Sequence, residues 1–233
     1  MTVLLVLFTF ASFLLIDHFR TRRASVPATL QAAVPAAAAK HEPMPRLQPA
    51  LVAGFAVPEN LRYHPGHTWA LSESPNLVRV GMDDFASKLT GKVESIDLPQ
   101  RGQWIRQGQK VCTIHRAING NDVAAEMVSP IEGTVSDINQ ALAKDPKLAL
   151  SDPYGEGWLV TVQAPDAKTS FRNLLGGALA RWWTEESASR LQRRMPLAFA
   201  GALAQDGGVA ISDLSTAIPD QEWLPLAKEF FLS

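Results

Sequence analysis

VRVGMDDFASKLTGKVESIDLPQRGQWIRQGQKV (residues 78–111) alternates apolar and polar positions, passes into a short helical pattern, and returns to alternation. LVRVGM (77–82) has the period of a strand, Asp83 can N-cap a helical turn through Leu89, and Gly91 suits its end. KVESIDLP (92–99) and QKVCTIHR (109–116) read as two further strands, with a tight turn marked by Pro99 and Gly102. Toward the C-terminus the same texture continues in AAEMVSP (124–130), GTVSDIN (133–139) and GWLVTVQAP (157–165). Pro130 and Gly133 repeat the earlier Pro–Gly spacing, and QALAKDPKLAL (140–150) is helical but broken at Pro146. Many short strands at this spacing predict a small barrel or sandwich over residues 55–168.

From Ser170 the period becomes helical. Phe171, Leu174, Leu175, Ala178, Leu179, Trp182 and Trp183 fall on an i, i+3, i+4 ladder, weakened by Gly176 and Gly177. Thr184 suits the N-cap of a helix over EESASRLQRRM, with acids first and arginines last, and Pro196 ends it. Residues 169–233 therefore predict a helical extension whose tail, including Trp223, Leu224, Phe230 and Phe231, packs on the β domain or on a partner.

The N-terminus departs from globular composition. VLLVLFTFASFLLI (3–16) is apolar or small throughout and is followed by Arg20, Arg22 and Arg23. A membrane span takes roughly 20 residues, with a lower limit near 17; this run reaches that limit with its flanking residues at the interface. A cleaved signal peptide is the rival reading, but its positive charge would precede the apolar run. Charge after the run predicts a retained single-pass anchor over residues 1–23, with the body on the cytoplasmic side of the inner membrane. Residues 24–54, rich in Ala and Pro, predict a linker with a reach on the order of 30 Å.

Across the 233 residues, 46% are hydrophobic and 19% charged, and the formal net charge is -1, which argues against a nucleic-acid surface. One cysteine, Cys112, excludes an internal disulfide and a multi-cysteine metal site. On a strand Cys112 and His115 point to opposite faces, so Cys112 reads as core. His64 and His67 have the same spacing and no evident third ligand, so no metal site is expected. No phosphate loop, nucleophile elbow or zinc-binding helix is present, so no catalytic residue is expected.

Four strings in order over residues 60–165 resemble the H protein of the glycine cleavage system: YHPGHTW (63–69), with His67 and Trp69; residues 78–111; SPIEGTVSDIN (129–139), with Pro130 and Gly133; and SDPYGEGWL (151–159). The last carries Asp152, Pro153, Tyr154, Gly155, Glu156, Gly157 and Trp158. The resemblance implies a mainly β fold with peripheral helices, built as a flattened β-barrel of the biotinyl/lipoyl type. His67 is expected to hydrogen-bond near Trp69, and Gly155 and Gly157 to permit positive φ around Glu156. Trp158 is expected to begin a strand.

In that family a lysine at an exposed hairpin tip is joined to lipoate through an amide, which requires a primary amine. Here the hairpin runs VCTIHRAINGNDVAAEMVSP (111–130), and no lysine occurs between Lys110 and Lys144. Counting forward by the family's spacing reaches Asn119, and counting back from Pro130 reaches Asp122. Asn119-Gly120-Asn121-Asp122 is itself a turn signal. The expected function is a non-catalytic, unlipoylated, membrane-tethered module that binds protein partners, lipoate-dependent or glycine cleavage enzymes among them, as scaffold or regulator. A carrier subunit for glycine decarboxylation is the alternative. A membrane-fusion adaptor of an export system is a second, although the coiled-coil heptads such adaptors need are absent.

Overall fold

A computed structural model describes residues 49–195, 209–210 and 212–232, all within one compact unit spanning residues 44–233. The expected anchor and most of the expected linker lie outside the described residues. Among those described, no helix is long and apolar enough to cross a membrane.

Among the described residues, eleven strands form three antiparallel sheets. The first is a hairpin of β1 (Ala50–Val52) and β2 (Phe55–Val57). The second has the order β3 (Arg62–His64), β4 (Thr68–Ser74), β5 (Leu77–Met82), β11 (Val160–Gln163), β10 (Gly133–Ile138), β7 (Trp104–Ile105). The third joins β6 (Ser95–Asp97), β8 (Lys110–Ile118) and β9 (Asn121–Val128). Alternation explains the shared core: Val78, Val80, Val135, Val160 and Val162 of the larger sheet pack in one cluster with Ile114, Ala125 and Met127 of the smaller. The architecture is mainly β with peripheral helices, as expected, and its ladder divides into separate sheets rather than closing as one. Ala50–Val52 is a strand, so the last residues of the segment read as linker belong to the β domain; β1 is paired by β2, which a composition reading does not register.

Helix α1 (Asp84–Thr90) starts and stops as its sequence predicts. The Asp83 carboxylate accepts from the Ala86 N–H at 2.8 Å, and Gly91 closes it with φ 66°. The broken stretch at 140–150 becomes a 3₁₀ turn, Gln140–Ala143, followed by α2 (Leu148–Ser151). Helix α3 (Ala167–Arg172) precedes α4 (Gly177–Arg194), and α5 (Asp220–Phe231) closes the described chain.

The C-terminal ladder needs correction. It breaks at Leu175, which exchanges backbone hydrogen bonds with Tyr63, and extended Gly176 then resets the phase before α4. Thr184 is no N-cap: it lies within α4, buried, and its hydroxyl donates back to the Ala180 carbonyl at 2.9 Å. The buried stripe of α4 is Ala180, Thr184, Ser187 and Ala188, small residues that let the helix approach closely, with Leu191 at its end, while Leu179 and Trp182 face outward. Helix α5 packs on β9 and α1, so the tail folds onto its own β domain. Trp223, Leu226, Phe230 and Phe231 are buried there.

Candidate functional site

The hairpin of β8 and β9 pairs Ile118 with Asn121, which leaves Asn119 and Gly120 as a two-residue turn. Both adopt positive φ, 54° and 78°, the requirement of a tight hairpin turn and the reason Asn-Gly serves here. The predicted four-residue tip therefore narrows to two, with Asn121 and Asp122 opening β9. All four are exposed. Their side chains offer two amides, a hydrogen and a carboxylate, none of them an amine able to form an amide with lipoate. The tip does not fit that cofactor. Lys110 starts β8 and pairs with Glu126 at 3.0 Å, while Lys144 and Lys147 flank the turn before α2.

On the outer face of the small sheet, His115 bridges both neighbouring strands. Its Nδ1 lies 2.9 Å from Asp122 on β9 and its Nε2 3.1 Å from Asp97 on β6. The hydrogen bond to Asp122 above all, with that to Asp97, raises the imidazole above its ordinary value. A raised folded-state value means that the stabilisation is fully present below about pH 6.5 and is lost as pH rises through the higher folded value. His115→Gln is expected to flatten the pH dependence of stability on the alkaline side of the ordinary imidazole value, a small effect because both carboxylates are exposed. Urea unfolding at a series of pH values checks this. Identical pH profiles for variant and parent would refute it.

The inner face carries Cys112, Ile114, Arg116 and Ile118, all buried. Burial pushes the Cys112 thiol up to about 12, so it is core and unreactive at neutral pH. Arg116 is placed inward with these apolar residues by the alternation of the strand. It donates to the Thr90 carbonyl at 2.9 Å and lies 5.0 Å from the Trp223 ring centre. Burial lowers its value, opposed by Asp213 and Asp220. Helix α5 thus covers this face of the hairpin strands.

The family strings lock to one another. His67, at φ 59°, ends the turn that closes β3–β4 after Pro65 and Gly66, and its Nδ1 lies 2.8 Å from Asp83 Oδ2 rather than near Trp69. Its ring stacks on Phe85 at 4.1 Å and meets Trp183 at 4.4 Å. Trp69 Nε1 donates to the Pro153 carbonyl at 3.1 Å, joining the first string to the last. Half-buried Tyr154 accepts from the Asp84 N–H at 3.0 Å and donates to the Ala56 carbonyl at 2.6 Å; desolvation of the hydroxyl raises the phenol's value.

Gly155 and Gly157 do not have positive φ. Their requirement is space: a Cβ on Gly155 would collide with the Asp152 carboxylate, and one on Gly157 with the Leu148 carbonyl. Asp152 Oδ2 accepts from the Glu156 N–H at 2.9 Å, holding the turn. Trp158 is buried two residues before β11, not within it. Pro130 presents its carbonyl to Gln107 at 2.8 Å, and Gly133 begins β10 against the Gln163 backbone.

Asn139, the last residue of GTVSDIN, has no local pattern that marks its role. It is buried, its amide donates to the Glu156 and Trp158 carbonyls, both at 2.7 Å, and its oxygen caps the 3₁₀ turn at Ala141. Among the described residues no group of three or more His, Cys, Asp or Glu is placed to hold a metal. What the arrangement offers is a rigid hairpin presented by a locked scaffold.

The model of the family "Glycine cleavage H-protein" matches residues 61–184. The glycine cleavage system H protein of Alteromonas mediterranea is 35% identical over 111 residues, 48% of this chain and 83% of that protein. That of Mycobacterium avium is 36% identical over 111 residues, 48% of this chain and 81% of the relative. That of Anaeromyxobacter sp. (strain K) is 32% identical over 130 residues, 56% of this chain and 97% of the relative. A crystal structure of a glycine cleavage system H protein from Mycobacterium marinum aligns with a TM-score of 0.45 at 23% identity, covering 56% of this chain and 98% of that one. The matched region takes in all four strings and stops within α4. The chain belongs to the glycine cleavage H-protein family, a family of carrier proteins rather than enzymes.

Proposed function

We propose that this chain is an unlipoylated H-protein-like module, tethered to the cytoplasmic face of the inner membrane through residues 1–23, that binds protein partners as a scaffold or regulator. The observation carrying the proposal is the Asn119–Gly120 turn, an exposed and well-formed tip with no amine on it. The nearest lysine along the hairpin, Lys110, sits at its base and is paired with Glu126. A ligase that reads a lysine in the setting of its hairpin would find the hairpin without the lysine. Lipoate-dependent enzymes, those of glycine cleavage first among them, are the partners that a surface of this family fits. The apolar run at 3–16 and the arginines behind it support the tether.

Intact mass measurement of the full chain, purified from membranes of lipoate-replete cells, tests this. The unmodified mass is expected, and a lipoyl adduct on any lysine would overturn the proposal. The family's carrier role supports a second reading, a glycine cleavage subunit modified elsewhere. Rescue of a strain lacking its H protein would favour that reading, and failure to rescue favours the scaffold.

A further inference from the structure

We infer that the exposed start of α4 is a lipid-contact surface, through which the β domain rests on the membrane that tethers it; the inference rests on the tethered reading above. Over its first turns α4 exposes Gly177, Ala178, Leu179 and Trp182, and the next exposed residues are Glu185 and Glu186. Leu179 is 54% and Trp182 63% exposed, two large apolar side chains one turn apart with no cover from the described chain. The buried side of the helix is already satisfied by Ala180, Thr184, Ser187, Ala188 and Leu191, so this second apolar face is not needed for folding.

Three observations choose lipid as the occupant. The chain leading from the apolar run at 3–16 enters the β domain at β1, and β1 and β2 pack on α4, with Val52 and Val57 in one cluster with Ala180 and Trp183. The end of the domain that receives the tether is therefore the end that carries the patch. Trp and Leu together suit the boundary between headgroup and hydrocarbon, where an indole keeps its N–H wet and buries its ring. Finally, the exposed Arg62 side chain lies over Gly176 at the start of this face, a cation at the rim of an apolar patch, where lipid phosphates would meet it. Two side chains alone would bind a bilayer weakly. A tether with a reach on the order of 30 Å removes that weakness, because it holds the patch at a high effective concentration beside the surface. Glu185 and Glu186 would set the depth, keeping the rest of the helix in water.

The test uses the full chain reconstituted into phosphatidylcholine–phosphatidylglycerol vesicles. Cys112 is buried, so a cysteine introduced by Leu179→Cys or by Arg193→Cys can be labelled alone with an environment-sensitive dye. The label at 179 is expected to shift to the blue and to lose emission with spin-labelled lipid, while the label at 193 does neither. Trp182→Phe should likewise remove part of the quenching of intrinsic fluorescence by brominated lipid. If the chain floats with the vesicles but the label at 179 stays open to aqueous iodide, the inference fails and the tether stands. If that label is shielded from both lipid and iodide, a protein or a second copy covers the face, and the inference fails again. A chain that does not float removes the tethered reading and this inference with it.

Discussion

Replacing Trp223 by alanine is expected to lower the unfolding free energy by about 3–5 kcal/mol, the range for truncating a fully buried aromatic residue. Trp223 is 0% exposed and sits where α5 crosses β9 and α1. Its indole N–H donates to the Leu89 carbonyl at 2.9 Å, near the end of α1, where carbonyls have no partner within the helix. Its ring also lies over Arg116, whose Nε is buried without a hydrogen-bond partner among the described residues. Alanine would leave a cavity, an orphaned carbonyl and a buried cation stripped of its ring together. Trp223→Phe keeps most of the volume and forfeits the hydrogen bond, which is worth about 0.5–1.5 kcal/mol, so it should cost far less. Urea unfolding of the two variants separates packing from the polar contacts. A loss below about 1 kcal/mol for Trp223→Ala would mean that α5 is an appendage and not part of the core. The result bears on function as well. Helix α5 lies beyond the family match at 61–184, so the inner face of the hairpin strands is sealed here by a segment outside the matched region.

What the sequence disclosed about this molecule follows from how local each cause is. The strand over 77–82 was legible to the residue, because one face must be buried and the period is two. The α1 cap at Asp83 and the stop at Gly91 were legible because both act through their own backbone neighbourhood. The hairpin tip was legible as a turn but not in length, since register, not composition, decides that Asn121 already pairs with Ile118.

Long-range causes were hidden. Asp83 reads as a cap, and nothing in its surroundings along the chain announces that its second oxygen faces His67, sixteen residues earlier. Thr184 followed by two glutamates has every mark of a helix start, yet α4 runs through it because tertiary packing of the Ala180 to Leu191 stripe outweighs a capping preference of about 1 kcal/mol. Arg116 sets two local signals against each other: the strand period places it inward with Cys112, Ile114 and Ile118, while an arginine is ordinarily exposed.

Asp83→Ala is expected to cost about 2–4 kcal/mol, combining a lost N-cap of about 1 kcal/mol with a buried imidazole left unpaired at about 1–3 kcal/mol. Each carboxylate oxygen has its own task. Oδ1 accepts from the Ala86 N–H at 2.8 Å, and Oδ2 meets His67 Nδ1 at 2.8 Å, where both side chains are almost wholly buried. His67 is also the contact point of three elements: the β3–β4 turn, α1 through Phe85, and α4 through Trp183. Asp83→Asn separates the tasks, because asparagine caps as well as aspartate but offers His67 a weaker, uncharged partner. It should therefore retain more than half of what alanine loses. A double-mutant cycle of Asp83→Ala with His67→Ala measures the pair itself, and coupling of about 0.5–3 kcal/mol is expected for residues in direct contact. Strict additivity would show that the two act independently and that His67 is held by stacking alone. Coupling would make the pair the fastening of α4 to the β domain. The start of α4 should then gain hydrogen-exchange rate in Asp83→Ala before the hairpin of β8 and β9 does.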